Sequence, residues 1–148
     1  FWAPELTREA IFESLRSRRV YGTSQPNRII VEFAVDGVAV GEADSTVELA
    51  APAADRTVEL TVAGTGPIER VTVVRNNEAW RTETVTEDPT APLETYTGEW
   101  TWTDDQPVTG MAWDEERGTG ADVYYARIRQ ADGGMAWAGP LWVEAPRD

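Results

Sequence analysis

The chain has 148 residues, with 13 basic against 26 acidic side chains and a net charge of −13. That length suits one core of ordinary size, and seven Trp among 41% hydrophobic residues exclude a disordered acidic tail. No apolar run approaches the ~20 residues of a membrane span, and an acidic surface excludes nucleic acid as a partner, because neutralising phosphate needs a basic face.

The sequence opens with a helix. Thr7 is placed as N-cap, with Glu9 in the first turn where its charge meets the positive helix end. Ile11, Phe12 and Leu15 recur at helical spacing, and Arg16, Arg18 and Arg19 suit the C-terminal end, so the pattern predicts a helix over 8–19. YGTSQPN follows and reads as a loop.

The period then changes to two. In IIVEFAV, Ile29, Val31, Phe33 and Val35 share one side, and Asp36-Gly37 predicts a hairpin turn into VAVGE. STVELA supplies Val47 and Leu49, and TVELTV sets Val58, Leu60 and Val62 against Thr57, Glu59 and Thr61. IERVTVVR leads to Asn76-Asn77, a type I′ turn signal, and then to a strand with Trp80. TEDPTAPLE is the expected long loop. TYTGEWTWT sets Tyr96, Trp100 and Trp102 against Thr97, Glu99, Thr101 and Thr103, and DVYYARIRQ turns at Asp132-Gly133-Gly134 to return as MAWAGPLWV. Short alternating runs with turn signals between them predict an antiparallel β-sandwich of about seven to nine strands with one N-terminal α-helix.

Two absences limit the chemistry. With no Cys there is no disulfide, thiolate nucleophile or zinc–thiolate site, and with no His there is no imidazole ligand or Ser-His-Asp triad. These residues are therefore expected to be non-catalytic, without a cofactor of their own. All 13 basic residues are Arg. Acidity spread along the chain without Lys suggests the cytoplasm of a halophilic prokaryote, where salt screens the repulsion between carboxylates, the alternative being an ordinary acidic domain from a GC-rich genome.

Three features could form sites. Trp100 and Trp102 on one strand face could stack on sugar rings, or could form a buried face packing across the sandwich. Asp104-Asp105, Asp114-Glu115-Glu116 and Asp122 could offer oxygens to Ca²⁺, but no EF-hand spacing is present and a solvated acidic loop is the better reading. Tyr21, Thr23, Ser24, Asn27 and Arg28 cluster after the helix. Their hydroxyls and the Arg could reach toward an anionic ligand held by a neighbouring domain, or Ser and Asn could simply satisfy backbone groups at the turn.

Two segments also carry a resemblance. TREAIFESLRSRRVYGTS followed by RIIVEF, and the closing YYARIRQADGGMAWAGPLWV, resemble the two ends of the C-terminal region in a family of large proteins of unknown function. The N-terminal part of that family is similar to PHP (polymerase and histidinol phosphatase) metal-dependent phosphoesterases. This chain departs from the family at Gln25-Pro26, where Gly is usual, and at Ala138 and Gly139, where small hydroxyl residues are usual. The resemblance implies that 1–27 close an upstream PHP-like domain and that 28–148 form an appended C-terminal sandwich. It places the divalent metal in the upstream domain and makes that domain the partner of this one, with Tyr21, Thr23, Ser24 and Arg28 as candidate interdomain contacts. It also explains a chain that begins at Phe1 with a helix ahead of its strands. A carbohydrate-binding-like module using Trp100 and Trp102, or an oligomerisation domain, are the alternatives.

Overall fold

The computed structural model describes residues 1–24, 26, 28–85, 96–110, 112–114 and 119–146. The fold is mainly β, a sandwich with one N-terminal helix. The expected loop TEDPTAPLE and the Glu115-Glu116 pair lie outside the described residues.

Helix α1 spans Arg8–Arg16, and Thr7 caps it by accepting a hydrogen bond from the Ala10 amide at 3.2 Å. It ends one turn earlier than the run of arginines predicts. Ser17 closes it, and Arg18 turns into the left-handed region with φ 59°, which stops helical propagation.

Eleven strands follow in the described residues: β1 (Tyr21–Thr23), β2 (Ile30–Val35), β3 (Val38–Ala39), β4 (Thr46–Glu48), β5 (Arg56–Ala63), β6 (Ile68–Arg75), β7 (Glu78–Thr84), β8 (Thr97–Asp104), β9 (Ala112–Asp114), β10 (Thr119–Gln130) and β11 (Met135–Pro146). One sheet has the order β1-β11-β10-β6-β7, with β4 added beside β11 and β9 beside β10. The other has the order β3-β2-β5-β8. The strands beyond the expected seven to nine come from pieces of two or three residues, too short to display a period of two. One of them corrects the reading of YGTSQPN as loop: Tyr21, Gly22 and Thr23 pair with Ala138, Trp137 and Ala136 of β11. Pairing is antiparallel throughout except for β4, which runs parallel to β11.

The turns follow their local chemistry. Asp36 and Gly37 have φ 48° and 75°, and Asn76 and Asn77 have φ 52° and 68°. Two successive positive values define the type I′ turn, whose twist matches that of paired strands. Between the sheets lies one core. Val31, Phe33 and Val35 of β2 and Val58, Leu60 and Val62 of β5 face Val71 and Val73 of β6, Tyr124, Ala126 and Ile128 of β10, and Leu141 and Val143 of β11. Fully burying one such aliphatic side chain contributes roughly 1.5–3 kcal/mol, so the sandwich needs nothing from α1 to close.

Candidate functional site

The helix is tied to the segments on either side of it by polar groups, and the segment after it reaches the sandwich. Its one buried side chain is Ser14, whose hydroxyl donates to the Trp2 carbonyl, while the Trp2 amide donates to the Arg19 carbonyl at 2.8 Å. After the helix, Arg18 Nη1 donates to the Asp44 carbonyl at 3.2 Å, and its guanidinium lies 4.4 Å from the Trp142 ring centre. Arg19 Nε donates to the Gly41 carbonyl at 3.2 Å. The apolar stripe points the other way. Phe12 is 60% and Leu15 53% exposed, Leu6 is 87% exposed, and Phe1 and Trp2 add to the same N-terminal region, with Ile11 half-buried. Single exposed apolar residues are ordinary; five in one short segment are not.

The polar cluster after the helix is drawn partly into the sheet. Tyr21 and Thr23 lie in β1. Ser24 closes the end of that ladder: its amide donates to the Met135 carbonyl and its hydroxyl accepts from the Met135 amide, both at 2.8 Å. The Tyr21 ring lies 6.1 Å from that of Trp2 at a 38° tilt, and burial raises its phenol pKa. Arg28 is exposed. Asn27 is not among the described residues. The residues placed before the 27/28 division therefore include a strand of the sandwich.

Trp100 and Trp102 lie opposite Leu60 and Val58 across the β5–β8 ladder, which sets both indoles on the core side of the sheet. Both are half-buried and pack on the core cluster. Trp102 Nε1 donates to Glu83 Oε1 at 3.3 Å, linking β8 to β7 of the other sheet.

The acidic residues Asp104 and Asp122 overturn the solvated-loop reading. Both are fully buried, and only Asp105 of the neighbouring pair is exposed. Arg56 donates through Nη2 to Asp104 Oδ2 at 2.8 Å and through Nε to Tyr124 Oη at 2.8 Å, and Tyr124 Oη donates to Asp104 Oδ2 at 2.5 Å. Arg75 places Nε and Nη2 on Asp122 Oδ2 at 2.9 and 2.5 Å, and Nη1 on Gln106 Oε1 at 2.8 Å. The other Asp122 oxygen accepts from the Thr109 amide and hydroxyl and from the Gly110 amide. Two guanidinium groups balance two carboxylates, and each carboxylate is tied to strand and loop at once. Burying such charges is costly unless they are paired and hydrogen-bonded, and these are.

The pKa directions follow from those contacts. Burial pushes the Asp122 carboxyl up, but hydrogen bonds from Asn76, Thr109 and Arg75, with the Arg75 charge, outweigh it and hold the group below 3.8. Burial, then the hydrogen bond to Asp104, drives the Tyr124 phenol well above 10. A cleft of about 470 Å³ opens beside Arg75, Trp80 and Gln106, but the Arg75 donors turn inward to Asp104, Gln106, Pro107 and Asp122. Chemically, the cluster is a clamp joining β5, β6, β8 and β10. Among the described residues no three carboxylates lie together as a metal site would require.

The described residues also contain no helix long and apolar enough to cross a membrane. No family model matches the chain. It is 30% identical over 139 residues to an uncharacterised protein of Chlamydia pneumoniae, and 27% identical over 139 residues to uncharacterised proteins of Chlamydia trachomatis and Chlamydia muridarum. Each alignment takes in 93% of this chain and 21% of the relative. The chain thus spans about a fifth of the length of the curated relatives it matches.

Proposed function

We propose that this β-sandwich is a non-catalytic accessory domain of a larger polypeptide, a PHP-like metal-dependent hydrolase, and that it packs on the catalytic part through α1. The observation that carries this reading is the outward apolar face of Phe12 and Leu15 on a helix whose one buried side chain is the polar Ser14. A helix normally gains its stability by burying its apolar stripe. Here the sandwich does not supply the cover, and relatives about five times as long as the matched segment offer a source for it.

Support also comes from the interior. The buried charges are consumed by one another, so the groups that most resemble catalytic machinery act as a structural clamp. The divalent metal and the reacting residues belong, on this reading, to the upstream domain, and Tyr21, Thr23, Ser24 and Arg28 flank the contact. The acidic, Lys-free composition fits the cytoplasm of a halophilic prokaryote.

Separate expression tests this. The sandwich and the remainder of the full-length polypeptide, mixed as two chains, should co-elute on gel filtration, and Phe12→Asp should separate them. Independent elution of the two unaltered chains would overturn the reading.

A further inference from the structure

One edge of the four-stranded sheet is β8, eight residues long. Successive residues of a strand direct their main-chain groups to opposite sides. The Asp36 amide donates to the Thr57 carbonyl at 2.8 Å, which turns the odd-numbered residues of β5 toward β2. The Gly64 amide donates to the Tyr96 carbonyl at 2.7 Å, which turns the even-numbered ones toward β8. The β8 residues that bond β5 are therefore Gly98, Trp100, Trp102 and Asp104. Thr97, Glu99, Thr101 and Thr103 direct N–H and C=O away from the sheet, and all four are exposed. Among the described residues no backbone group pairs with that edge.

Strand edges are usually blocked against further pairing. The opposite edge, β3, has two residues, and β7, an edge of the other sheet, is broken by a bulge against β6. β8 has neither device. It pairs with β5 from Thr97 to Asp104 without a shift in register, contains no Pro and no basic residue, and carries one charge, Glu99, between Thr97 and Thr103. An unblocked edge of this length offers its donors and acceptors to another strand.

We propose that this strand is β8 of a second copy of the chain, paired antiparallel about a two-fold axis at Trp100. In that register Thr97 faces Thr103 of the copy and Glu99 faces Thr101, so every outward main-chain group from Thr97 to Thr103 finds a partner. Sliding the copy by two residues in one direction sets Glu99 against Glu99, and like charges directly opposite are destabilising. Sliding it in the other direction leaves Thr97 without a strand residue to pair. One carboxylate among threonines prescribes no charge pattern for a foreign strand, whereas the placing of Glu99 and Thr101 on either side of Trp100 suits a copy. Two-fold pairing closes on itself, so the product is a dimer in which the two four-stranded sheets become one. This inference does not depend on α1 docking, since α1 and β8 are separate elements with no residue in common.

Sedimentation of the chain across a range of concentrations tests this. A reversible dimer should form, tighter in molar KCl than in dilute buffer, because salt screens the repulsion between two chains of net charge −13. Amide exchange should slow with concentration at Thr97, Glu99, Thr101 and Thr103, and stay unchanged at Gly98, Trp100 and Trp102, which already bond β5. Thr101→Pro removes an outward donor without touching the β5 ladder, so it should weaken the dimer at least tenfold at an unaltered melting temperature of the monomer. Thr101→Lys sets a cation opposite Glu99 of the copy and should tighten the dimer severalfold in dilute buffer, while the same change at exposed Ala131 should not. A chain that stays monomeric, protection that does not alternate along β8, or a dimer indifferent to both Thr101 variants would each overturn the proposal. So would alternating protection that appears only when a capped valine–lysine hexapeptide is added, because the edge would then take a foreign basic strand. Phe12→Asp should leave the dimer intact, which separates failure here from failure of the docking role; a dimer abolished by that change would belong to the helix face and overturn the pairing of β8.

Discussion

Arg56 of β5 and Asp104 of β8 stand directly opposite each other in the ladder and meet at 2.8 Å, with neither side chain exposed. The pair lies at the end of both strands, where it draws in Tyr124 and, through Asp104, Arg75 of the other sheet. Asp104→Ala would leave two guanidinium groups without their shared carboxylate. Removing one partner of a buried pair costs about 3–5 kcal/mol. A urea melt should report that loss, and Arg56→Met combined with Asp104→Leu should recover much of it, because an apolar replacement of both partners leaves no unpaired charge.

Acid and alkali should weaken the fold through different groups. The Asp122 carboxyl is held below its ordinary value in the folded chain, so its contribution is complete above the unfolded value near 3.8 and is lost as pH falls through the lower folded value. The Tyr124 phenol is raised above 10 by burial and by Asp104. Its contribution is complete below pH 10 and is lost as pH rises beyond that toward the folded value. Melting temperatures across pH should fall at both extremes. Tyr124→Phe should flatten the alkaline limb and Asp122→Asn the acid limb.

Much of this architecture is legible in the residues, and so in part is the clamp. The core strands declare themselves because Val31, Phe33 and Val35, or Val58, Leu60 and Val62, alternate cleanly and are buried. The same alternation runs on to Arg56 before Val58, to Asp104 after Trp102, to Arg75 after Val73 and to Asp122 before Tyr124. Each charged residue occupies the inward phase of its strand, two of each sign. Reading the acids as a local run, Asp104-Asp105, hid this; reading them by strand phase reveals it. What stayed illegible is the pairing, since Arg56 and Asp104 are 48 residues apart, and strand β1, whose three residues follow the register of β11 rather than any pattern of their own.

Salt should stabilise the chain. A net charge of −13 repels itself, and screening shortens from ~10 Å at 0.1 M to ~3 Å at 1 M. The melting temperature should climb on going from dilute buffer to molar KCl. A flat profile would remove the argument for a high-salt cytoplasm.

Helix substitutions should divide by what each side chain touches. Leu15 is largely exposed, so Leu15→Ala should cost under about 0.5 kcal/mol in this chain. Ser14 is buried and donates to the Trp2 carbonyl, so Ser14→Ala leaves a part-buried acceptor unsatisfied and should cost about 1–3 kcal/mol. Denaturant melts of the two variants should rank them in that order.

Hydrogen exchange of the α1 amides tests the docking role most directly. It is measured in the 148-residue chain alone and again within the full-length polypeptide. The helix has little apolar cover of its own, so Ile11 to Arg16 should exchange quickly in the isolated chain. They should exchange at least tenfold more slowly in the longer protein, where the face of Phe12 and Leu15 is covered. Equal exchange in both would show that nothing packs on this helix, and would contradict the accessory role built on it.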